Sequence, residues 1–124
     1  MYRRSNKYSN EKVEIDGYKF GSKYEAQIYS EFKLDPDIKI LRLQPKFLLI
    51  PGFTRYDKKI LPIYYVADFE IIQNEKEWVI DVKSIATEKN AEYRLKRKLF
   101  LRSHLRTRFK EIIFGGRFPE ERVW

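Results

Sequence analysis

Two aspartates and a lysine fall on the same side of a predicted β-hairpin, within the stretch YVADFEIIQNEKEWVIDVKS. Both halves of this stretch alternate apolar and polar residues, which is typical of β-strands with one buried face. With Asn74 and Glu75 as the two turn residues, Asp68 lies directly opposite Asp81, and Lys83 follows on the same face. Side chains opposed in this way are about 5 Å apart at Cβ. The two carboxylates are therefore close enough to share a cation.

Repulsion between these carboxylates allows two interpretations. At about 5 Å and an effective dielectric constant near 20 it amounts to roughly 3 kcal/mol, against a total stability of about 5–15 kcal/mol for a typical domain. A divalent cation between Asp68 and Asp81 would turn this repulsion into binding energy. The alternative is a solvated polar face, on which salt screens the repulsion and Lys83 offsets part of it. The hairpin alone does not decide between the two.

The composition predicts one folded domain in a reducing compartment. The 124 residues suit a single domain over residues 1–124, and the 43% of hydrophobic residues argue against a disordered chain. Cysteine is absent, which excludes disulfides and thiolate chemistry. No stretch resembles a signal peptide or reaches the roughly 20 apolar residues of a membrane span. We therefore expect a cytoplasmic protein with no membrane partner.

The charge predicts a polyanionic partner. The formal net charge is +8, which favours nucleic acid, although charge alone does not separate DNA from RNA or from an anionic membrane. Residues 94–110 contain eight basic residues and no acid. A solvated helix normally mixes signs, so one sign favours phosphate contacts over a merely solubilising face. The predicted contacts are Arg94, Lys96, Arg97, Lys98 and Arg102, joined by Arg3, Arg4 and Lys7 in a flexible basic arm at residues 1–10.

The first half of the chain predicts a hairpin, a helix and one or two strands. VEIDGYKF is apolar on both sides of Asp16-Gly17, which favours a type I′ turn. SKYEAQIYSEFKL has a helical pattern with Ser22 as N-cap, and Glu25 completes a capping box. IKILRLQPKFLLI is extended with an interruption at Pro45. PGFTRYDKKILP has the composition of a charged loop.

The second half predicts a helix and a last strand after the YVADFEIIQNEKEWVIDVKS hairpin. TEKNAEYRLKRKLFLRSHL is the second helix, RFKEIIF the strand, and GGRFPEERVW a turn and a tail. After the first hairpin the order is thus helix, three strands, helix, strand. This order predicts an α/β fold, with a mixed central sheet and flanking helices.

The ordered set of stretches resembles the PD-(D/E)XK nuclease superfamily, in which an acidic residue on one strand precedes Asp/Glu-x-Lys on its neighbour. Here these appear as ADFE and IDVKS, with Ala67 where the superfamily name has proline. DGYKFGSKYEA, QPKF, DFE, DVKS and YRLKRKLF together are similar to small phage-associated Holliday-junction-resolvase-like endonucleases, over about residues 13–114. The resemblance implies a restriction-endonuclease-like αβββαβ core preceded by the N-terminal hairpin.

The resemblance also implies roles for individual residues. Glu25, Asp68, Asp81 and Lys83 would be catalytic, and Glu25, Asp68, Asp81 and the Val82 carbonyl would hold Mg²⁺, with Mn²⁺ also supporting activity. Lys83 would contact the attacking water or the phosphate; its alternative is an ion pair with an aspartate. Glu25 has a competing local role as part of the capping box.

Three further polar residues could belong to the metal site or contact nucleic acid, but each has a simpler alternative. Glu70 points to the aspartate face, but a solvated strand residue is the simpler interpretation. Gln44 resembles a polar residue found near such sites and would contact nucleic acid, although glutamine before proline at a strand end is common. His104 is the only histidine and has no partner for general-base chemistry nearby, so we expect it at the surface or on a phosphate.

The function that the resemblance implies is metal-dependent hydrolysis of DNA phosphodiesters, in Holliday junctions or other branched DNA, during phage recombination or replication. Two symmetric cuts in a junction call for a homodimer, in the host cytoplasm if the chain is phage-encoded. One alternative is another nuclease with the same core, cutting duplex, flap or specific sequences. The other is a basic nucleic-acid-binding module whose acidic face is structural.

Overall fold

A computed structural model describes residues 12–124, so the arm predicted at residues 1–10, with Arg3, Arg4 and Lys7, lies outside the described residues. The helices are α1 (Lys23–Leu34), α2 (Ile85–Glu88) and α3 (Ala91–Ser103). The strands are β1 (Val13–Ile15), β2 (Tyr18–Phe20), β3 (Ile38–Leu43), β4 (Lys46–Ile50), β5 (Phe53–Arg55), β6 (Lys58–Ile60), β7 (Ile63–Val66), β8 (Phe69–Gln73), β9 (Lys76–Ser84), β10 (Arg108–Phe114) and β11 (Glu120–Val123). No helix in this part of the chain is long and apolar enough to span a membrane.

The mixed α/β prediction is confirmed by a five-stranded sheet with the order β11-β10-β9-β8-β3. Strands β9 and β10 are parallel, and the other neighbours are antiparallel. Parallel strands require a crossover, and α3 with the short α2 supplies it. The elements α1, β3, β8, β9, α3 and β10 follow one another as predicted, but β4 to β7 intervene between β3 and β8, α2 precedes α3, and β11 follows β10.

Both predicted hairpins form with the predicted turns. Asp16 and Gly17 have φ of 54° and 81°, and Asn74 and Glu75 have φ of 51° and 67°. Positive φ at both central residues is the signature of the type I′ turn, whose twist matches that of the flanking strands. The β8–β9 register pairs Gln73 with Lys76, as predicted, but the ladder ends at Phe69 and Ile80, one residue short of the predicted Asp68–Asp81 pair.

The sheet is covered on both sides, which contradicts a solvated polar face on the second hairpin. On one side α1 packs Ile28 and Phe32 against Phe69, Ile71, Ile80 and Val82. On the other side Tyr65 from β7 and Phe100 from α3 pack on Val79 and Phe109. Ala67 also belongs to this second cluster. The face that holds Asp81 is therefore interior.

Three segments gain structure that local pattern did not predict. The predicted loop PGFTRYDKKILP contains the exposed β5–β6 hairpin, and the predicted tail contains β11, which pairs with β10. The predicted second helix is two helices: α2 is capped by Ser84, and α3 by Asn90, whose side chain accepts from the Tyr93 N–H. Strand β11 depends on an edge supplied by β10, a long-range condition that a short polar segment does not reveal by itself.

Candidate active site

Asp68 lies at the point where the chain leaves β7 and enters β8, and backbone bonds on both sides hold it there. Its N–H donates to the Ile80 carbonyl at 3.1 Å, and its carbonyl accepts from the Gln44 N–H at 2.9 Å. Its Oδ2 accepts from the Val82 N–H at 2.7 Å. The carboxyl group is thereby directed at β9, beside Asp81.

Asp81 is fully buried in the middle of β9, with 0% of its surface exposed. Its Oδ2 accepts a hydrogen bond from the Tyr65 hydroxyl. The Lys83 Nζ lies 3.0 Å from its Oδ1, yet no hydrogen bond of acceptable geometry reaches this oxygen. Within residues 12–124, Asp81 Oδ1 is the one buried side-chain polar atom left without such a bond. This oxygen nevertheless forms an ion pair with the Lys83 ammonium, which is the alternative role that the sequence offered for Lys83.

Glu25 extends from the first turn of α1 toward the two aspartates. Its N–H donates to the Ser22 Oγ at 3.2 Å, as predicted for the N-cap. Its carboxylate lies against Gly21, and it is close enough to Lys83, Asp81 and Asp68 for them to influence its pKa. The carboxylate thus faces the acidic cluster instead of closing a capping box on Ser22, and the sequence-predicted residues Glu25, Asp68, Asp81 and Lys83 meet at one place.

The electrostatics of this cluster follow from burial and like charge. The pKa of Asp68 is held well above its ordinary value by burial and by the charges of Asp81 and Glu25. Burial also raises the pKa of Glu25. For Lys83, burial favours the neutral amine, but the charges of Asp81 and Asp68 outweigh it and raise the pKa. The site therefore has a firmly protonated lysine and an excess of carboxylates that a proton or a cation must compensate.

The donor set fits a hard divalent cation. Three carboxylates and the peptide group of Val82 offer oxygen ligands of the kind that Mg²⁺ and Mn²⁺ prefer, and Asp81 Oδ1 has spare capacity. A small cleft of about 120 Å³, lined by Gly21, Glu25, Val82 and Lys83 among others, opens beside them. Among the residues that the structure describes, no group of three or more acidic or histidine side chains stands ready-arranged around one point. A cation held by all three carboxylates would therefore require their side chains to move.

Glu70 and Gln44 take no side-chain part in this cluster. Glu70 is partly exposed and its Oε2 accepts from the Arg42 Nε at 2.9 Å, which supports the simpler interpretation as a solvated strand residue. Gln44 is exposed and has a left-handed backbone with φ of 50°. Its contribution is the N–H that holds the Asp68 carbonyl.

The basic stretch contains one residue that sequence reasoning placed wrongly. Arg97 is only 9% exposed, and its guanidinium lies 2.9 Å from Glu111 and 3.4 Å from Glu88. It also stacks on the Trp124 ring at 4.0 Å. Because its charge is neutralised inside the protein, Arg97 has a structural role and drops out of the predicted phosphate contacts.

The other predicted contacts on α3 lie nearer the solvent. Arg94 is half exposed but donates to both Glu88 carboxylate oxygens at 3.1 Å. Lys96 pairs with Glu92 at 3.4 Å, one turn away. Lys98 and Arg102 are exposed. His104 caps α3 and stacks on Phe100, with ring centroids 4.5 Å apart. Lys98 and Arg102 are thus the residues of α3 best placed for a polyanion.

Sequence reasoning missed the two tyrosines that line the cluster. Tyr65 donates to Asp81, and Tyr93 lies under the Lys83 Nζ, which is 4.6 Å from the ring centroid. Tyr93 also donates to the buried Glu111. Burial and the neighbouring negative charges raise the pKa of both phenols, so both remain protonated donors. Only the tertiary fold brings these residues to β9, and no local spacing signals them.

Comparison with known proteins adds a family but no activity. A family model described as "Protein of unknown function (DUF1064)" matches residues 5–117 of the 124 residues. Comparison with curated proteins and with solved structures gave no match. Since the matched residues make up most of the chain, the protein belongs to the family described as Protein of unknown function (DUF1064).

Proposed function

We propose that the protein is a metal-dependent endonuclease that hydrolyses DNA phosphodiester bonds. The observation that carries the proposal is the proximity of Glu25, Asp68 and Lys83 to the buried Asp81 carboxylate, whose Oδ1 is paired with Lys83 at 3.0 Å and accepts no hydrogen bond of good geometry. The charges of Asp81 and Glu25 raise the pKa of Asp68, and a divalent cation would relieve this repulsion more fully than a single proton. The sheet and helix order is consistent with the restriction-endonuclease-like core implied by the resemblance.

Each residue would contribute what its contacts allow. Asp68, Asp81, Glu25 and the Val82 carbonyl would hold Mg²⁺ or Mn²⁺, which when bound polarises a phosphate and lowers the pKa of an attacking water. Tyr65 and the Val82 N–H fix the orientation of the two aspartates. Lys83 keeps its proton because of the adjacent carboxylates, and it offers positive charge to the phosphate as negative charge develops.

Branched DNA, above all a Holliday junction, is the substrate we propose, in phage recombination or replication. The supporting facts are the net charge of +8 and the exposed cations Lys98 and Arg102, while the substrate shape comes from the resemblance. Two symmetric cuts in a junction would require two active sites related by two-fold symmetry, which implies a homodimer.

A basic nucleic-acid-binding module is the rival, and one observation favours it. Each aspartate of the cluster already has an internal donor, Tyr65 for Asp81 and the Val82 N–H for Asp68. On this view the acids serve only to orient the strands. The two functions differ in whether the cluster binds metal.

Thermal unfolding with and without metal separates them. Addition of Mg²⁺ or Mn²⁺ at 100 times its dissociation constant should stabilise the native protein by about 2.7 kcal/mol. Asp81→Asn, which keeps an oxygen for the Tyr65 hydroxyl, should abolish this gain and cleavage together. Glu77→Gln is the matched control, since Glu77 is an exposed acid on the same strand. Wild-type protein that no divalent metal stabilises would favour the binding module.

A cleavage panel identifies the substrate. Four-way junction, Y-fork, flap, linear duplex and single strand should each be incubated with the wild type and with Asp81→Asn, in Mg²⁺ and in EDTA. We expect paired symmetric cuts in the junction, only with the wild type and only with metal. Equal cutting of linear duplex would contradict the junction proposal and leave a nuclease of broader specificity.

A further inference from the structure

The hairpin formed by β5 and β6, outside the acidic cluster, also contains side chains that repel each other. Strands β5 and β6 form a hairpin, here called the tip hairpin (residues 53–60), which lies in the chain between β3 and β8 of the main sheet. All of its side chains are exposed. Its strands pair only with each other. Because a two-stranded hairpin alone is only marginally stable in water, unfavourable choices within it call for a reason.

The first unfavourable choice is at the turn. Tyr56 has φ of 52° and is 88% exposed. Positive φ suits Gly or Asn, and a bulky aromatic residue there is an outlier. Its ring makes one notable contact, with the neighbouring Arg55 guanidinium at 5.6 Å. The turn therefore holds a large flat ring out into the solvent, in a backbone conformation that a smaller residue would adopt more easily.

The second unfavourable choice is the charge next to the turn. Arg55 lies directly opposite Lys58, and Thr54 opposite Lys59. Like charges opposed across two strands destabilise a hairpin. None of these three cations forms an ion pair with an acid anywhere in residues 12–124. Asp57 is the only acid among them, so the tip hairpin is strongly basic.

A nucleic acid would compensate both the exposed Tyr56 ring and the opposed cations. Phosphates would neutralise the opposed cations, and an unstacked base offers the flat face on which an exposed aromatic ring stacks. Two-stranded ribbons of this width enter the grooves of DNA. A second copy of this chain fits less well, because two such tips would bring like charges together.

We propose that the tip hairpin contacts the DNA substrate, with Tyr56 stacking on an unpaired or unstacked base and Arg55, Lys58 and Lys59 binding the flanking phosphates. The inference rests on the proposed function for its substrate, branched DNA, and it adds the element that recognises the branch. Branch points contain bases whose stacking is already interrupted, so Tyr56 favours them over continuous duplex.

Binding in EDTA tests this independently of cleavage. Fluorescence anisotropy should compare a labelled four-way junction with a linear duplex of the same arm sequence. Tyr56→Asn suits the left-handed turn and removes the ring; we expect about tenfold weaker junction binding and little change for duplex. Tyr56→Trp should restore junction binding. Phe118→Ala is the matched control, since Phe118 is 74% exposed and lies beside Arg117 outside the tip hairpin; it should change nothing.

Two further measurements test the phosphate contacts of Arg55 and Lys58 and the stacking of Tyr56 on a DNA base. Arg55→Ala combined with Lys58→Ala should weaken binding to both DNAs. The slope of the logarithm of the binding constant against the logarithm of the salt concentration should become shallower by about 0.9 for each phosphate that the variant no longer neutralises. A 2-aminopurine at the branch point should change fluorescence on binding of the wild type and less with Tyr56→Asn.

Several outcomes would overturn the inference. These are a wild type that does not bind the junction, a junction-to-duplex ratio that Tyr56→Asn leaves unchanged, or a loss of dimer in sedimentation by Tyr56→Asn with DNA binding intact. The last would make the tip hairpin a protein interface. Failure of the proposed function is distinguishable: a protein that binds junctions through Tyr56 but never cuts them in Mg²⁺ retains the tip contact and loses the nuclease.

Discussion

Asp68 can lose its repulsion from Asp81 and Glu25 in two ways, by taking up a proton or by sharing a cation with them. Without metal, Lys83 offsets only part of this repulsion, and the raised pKa of Asp68 indicates that a proton relieves the rest. With metal, the carboxylates are charged and the cation takes the place of the proton. The stability of the protein should therefore depend on both pH and metal. Without metal a protonated Asp68 is the more stable form, whereas metal binding requires an ionised Asp68.

The pH dependence without metal has a definite sign. Because the pKa of Asp68 is raised above its ordinary value near 3.8, the folded protein keeps a proton that the unfolded chain has released. The contribution to stability is thus complete below the ordinary pKa and is lost as the pH rises through the raised value. Asp68→Asn mimics the protonated acid and keeps an oxygen for the Val82 N–H.

We expect Asp68→Asn to melt above the wild type in EDTA at pH 8, by about 4 °C for each kcal/mol of repulsion removed. The difference should shrink as the pH falls toward 4. Saturating Mg²⁺ should reverse the order, since only the wild type keeps the full ligand set. Asp37→Asn, at an exposed acid, controls for a general effect of charge. A variant that is less stable than the wild type at every pH would contradict the prediction.

At the scale of elements, α3 has a structural face and a basic face, which the sequence does not separate. Arg97 and Arg94 pair with Glu88 and Glu111, acids from other elements. Lys98 points to solvent. From Arg94 onward the charged residues of this helix are all basic along the chain, but in space acids neutralise several of them. Its neutralising acids lie at the end of α2 and in β10.

Arg97 and Lys98 are adjacent, so they provide a matched pair. Arg97→Ala should lower the free energy of unfolding by about 3–5 kcal/mol, because it leaves a buried carboxylate with too few partners. Lys98→Ala should change it by less than about 0.5 kcal/mol and instead lower the salt slope of DNA binding. Urea unfolding and DNA titration at several salt concentrations measure the two effects. An Arg97→Ala protein of normal stability with weakened DNA binding would return Arg97 to the interface.

The correct sequence predictions came either from short-range patterns or from the resemblance to the nuclease superfamily. Asp16-Gly17 and Asn74-Glu75 specify their turns, and the Ser22 cap follows from side chains a few residues apart. The cluster at Asp68 and Asp81 required only a correct hairpin register plus the resemblance for Glu25. The burial of Asp81, the Tyr65 hydroxyl bound to it and the pairing of Arg97 depend on contacts between distant elements. No short pattern encodes these.

At the scale of the molecule, the acidic cluster and the exposed cations suit different tasks. Asp81 is buried against Tyr65 of β7, where burial would strengthen its interaction with a bound metal. Lys98 and Arg102 lie on the exposed side of α3, and Arg55, Lys58 and Lys59 lie on the tip hairpin. One protomer thus offers one candidate site for chemistry, whereas a junction has two strands to be cut. The proposal therefore requires two protomers on each junction.

Mixed dimers test this requirement. A supercoiled plasmid with an extruded cruciform is linearised only if both strands are cut within the lifetime of one complex. Wild type mixed with an equal amount of Asp81→Asn and allowed to exchange should contain about half mixed dimers, from random pairing of two kinds of protomer. A mixed dimer cuts one strand, and loss of supercoiling then removes the cruciform, so nicked circles should accumulate. Wild-type dimers alone should give linear plasmid.

The control is Glu77→Gln in place of Asp81→Asn, which should leave linear plasmid as the product. Sedimentation at the same concentrations should give the mass of two chains. A single-chain mass on the junction, or nicked circles from the wild type alone, would contradict the dimer. Either result would favour a nuclease that cuts one strand at a time, with the same four residues at its site. The ratio of nicked to linear product therefore reports the number of protomers that act together, separately from whether the acidic cluster cuts at all.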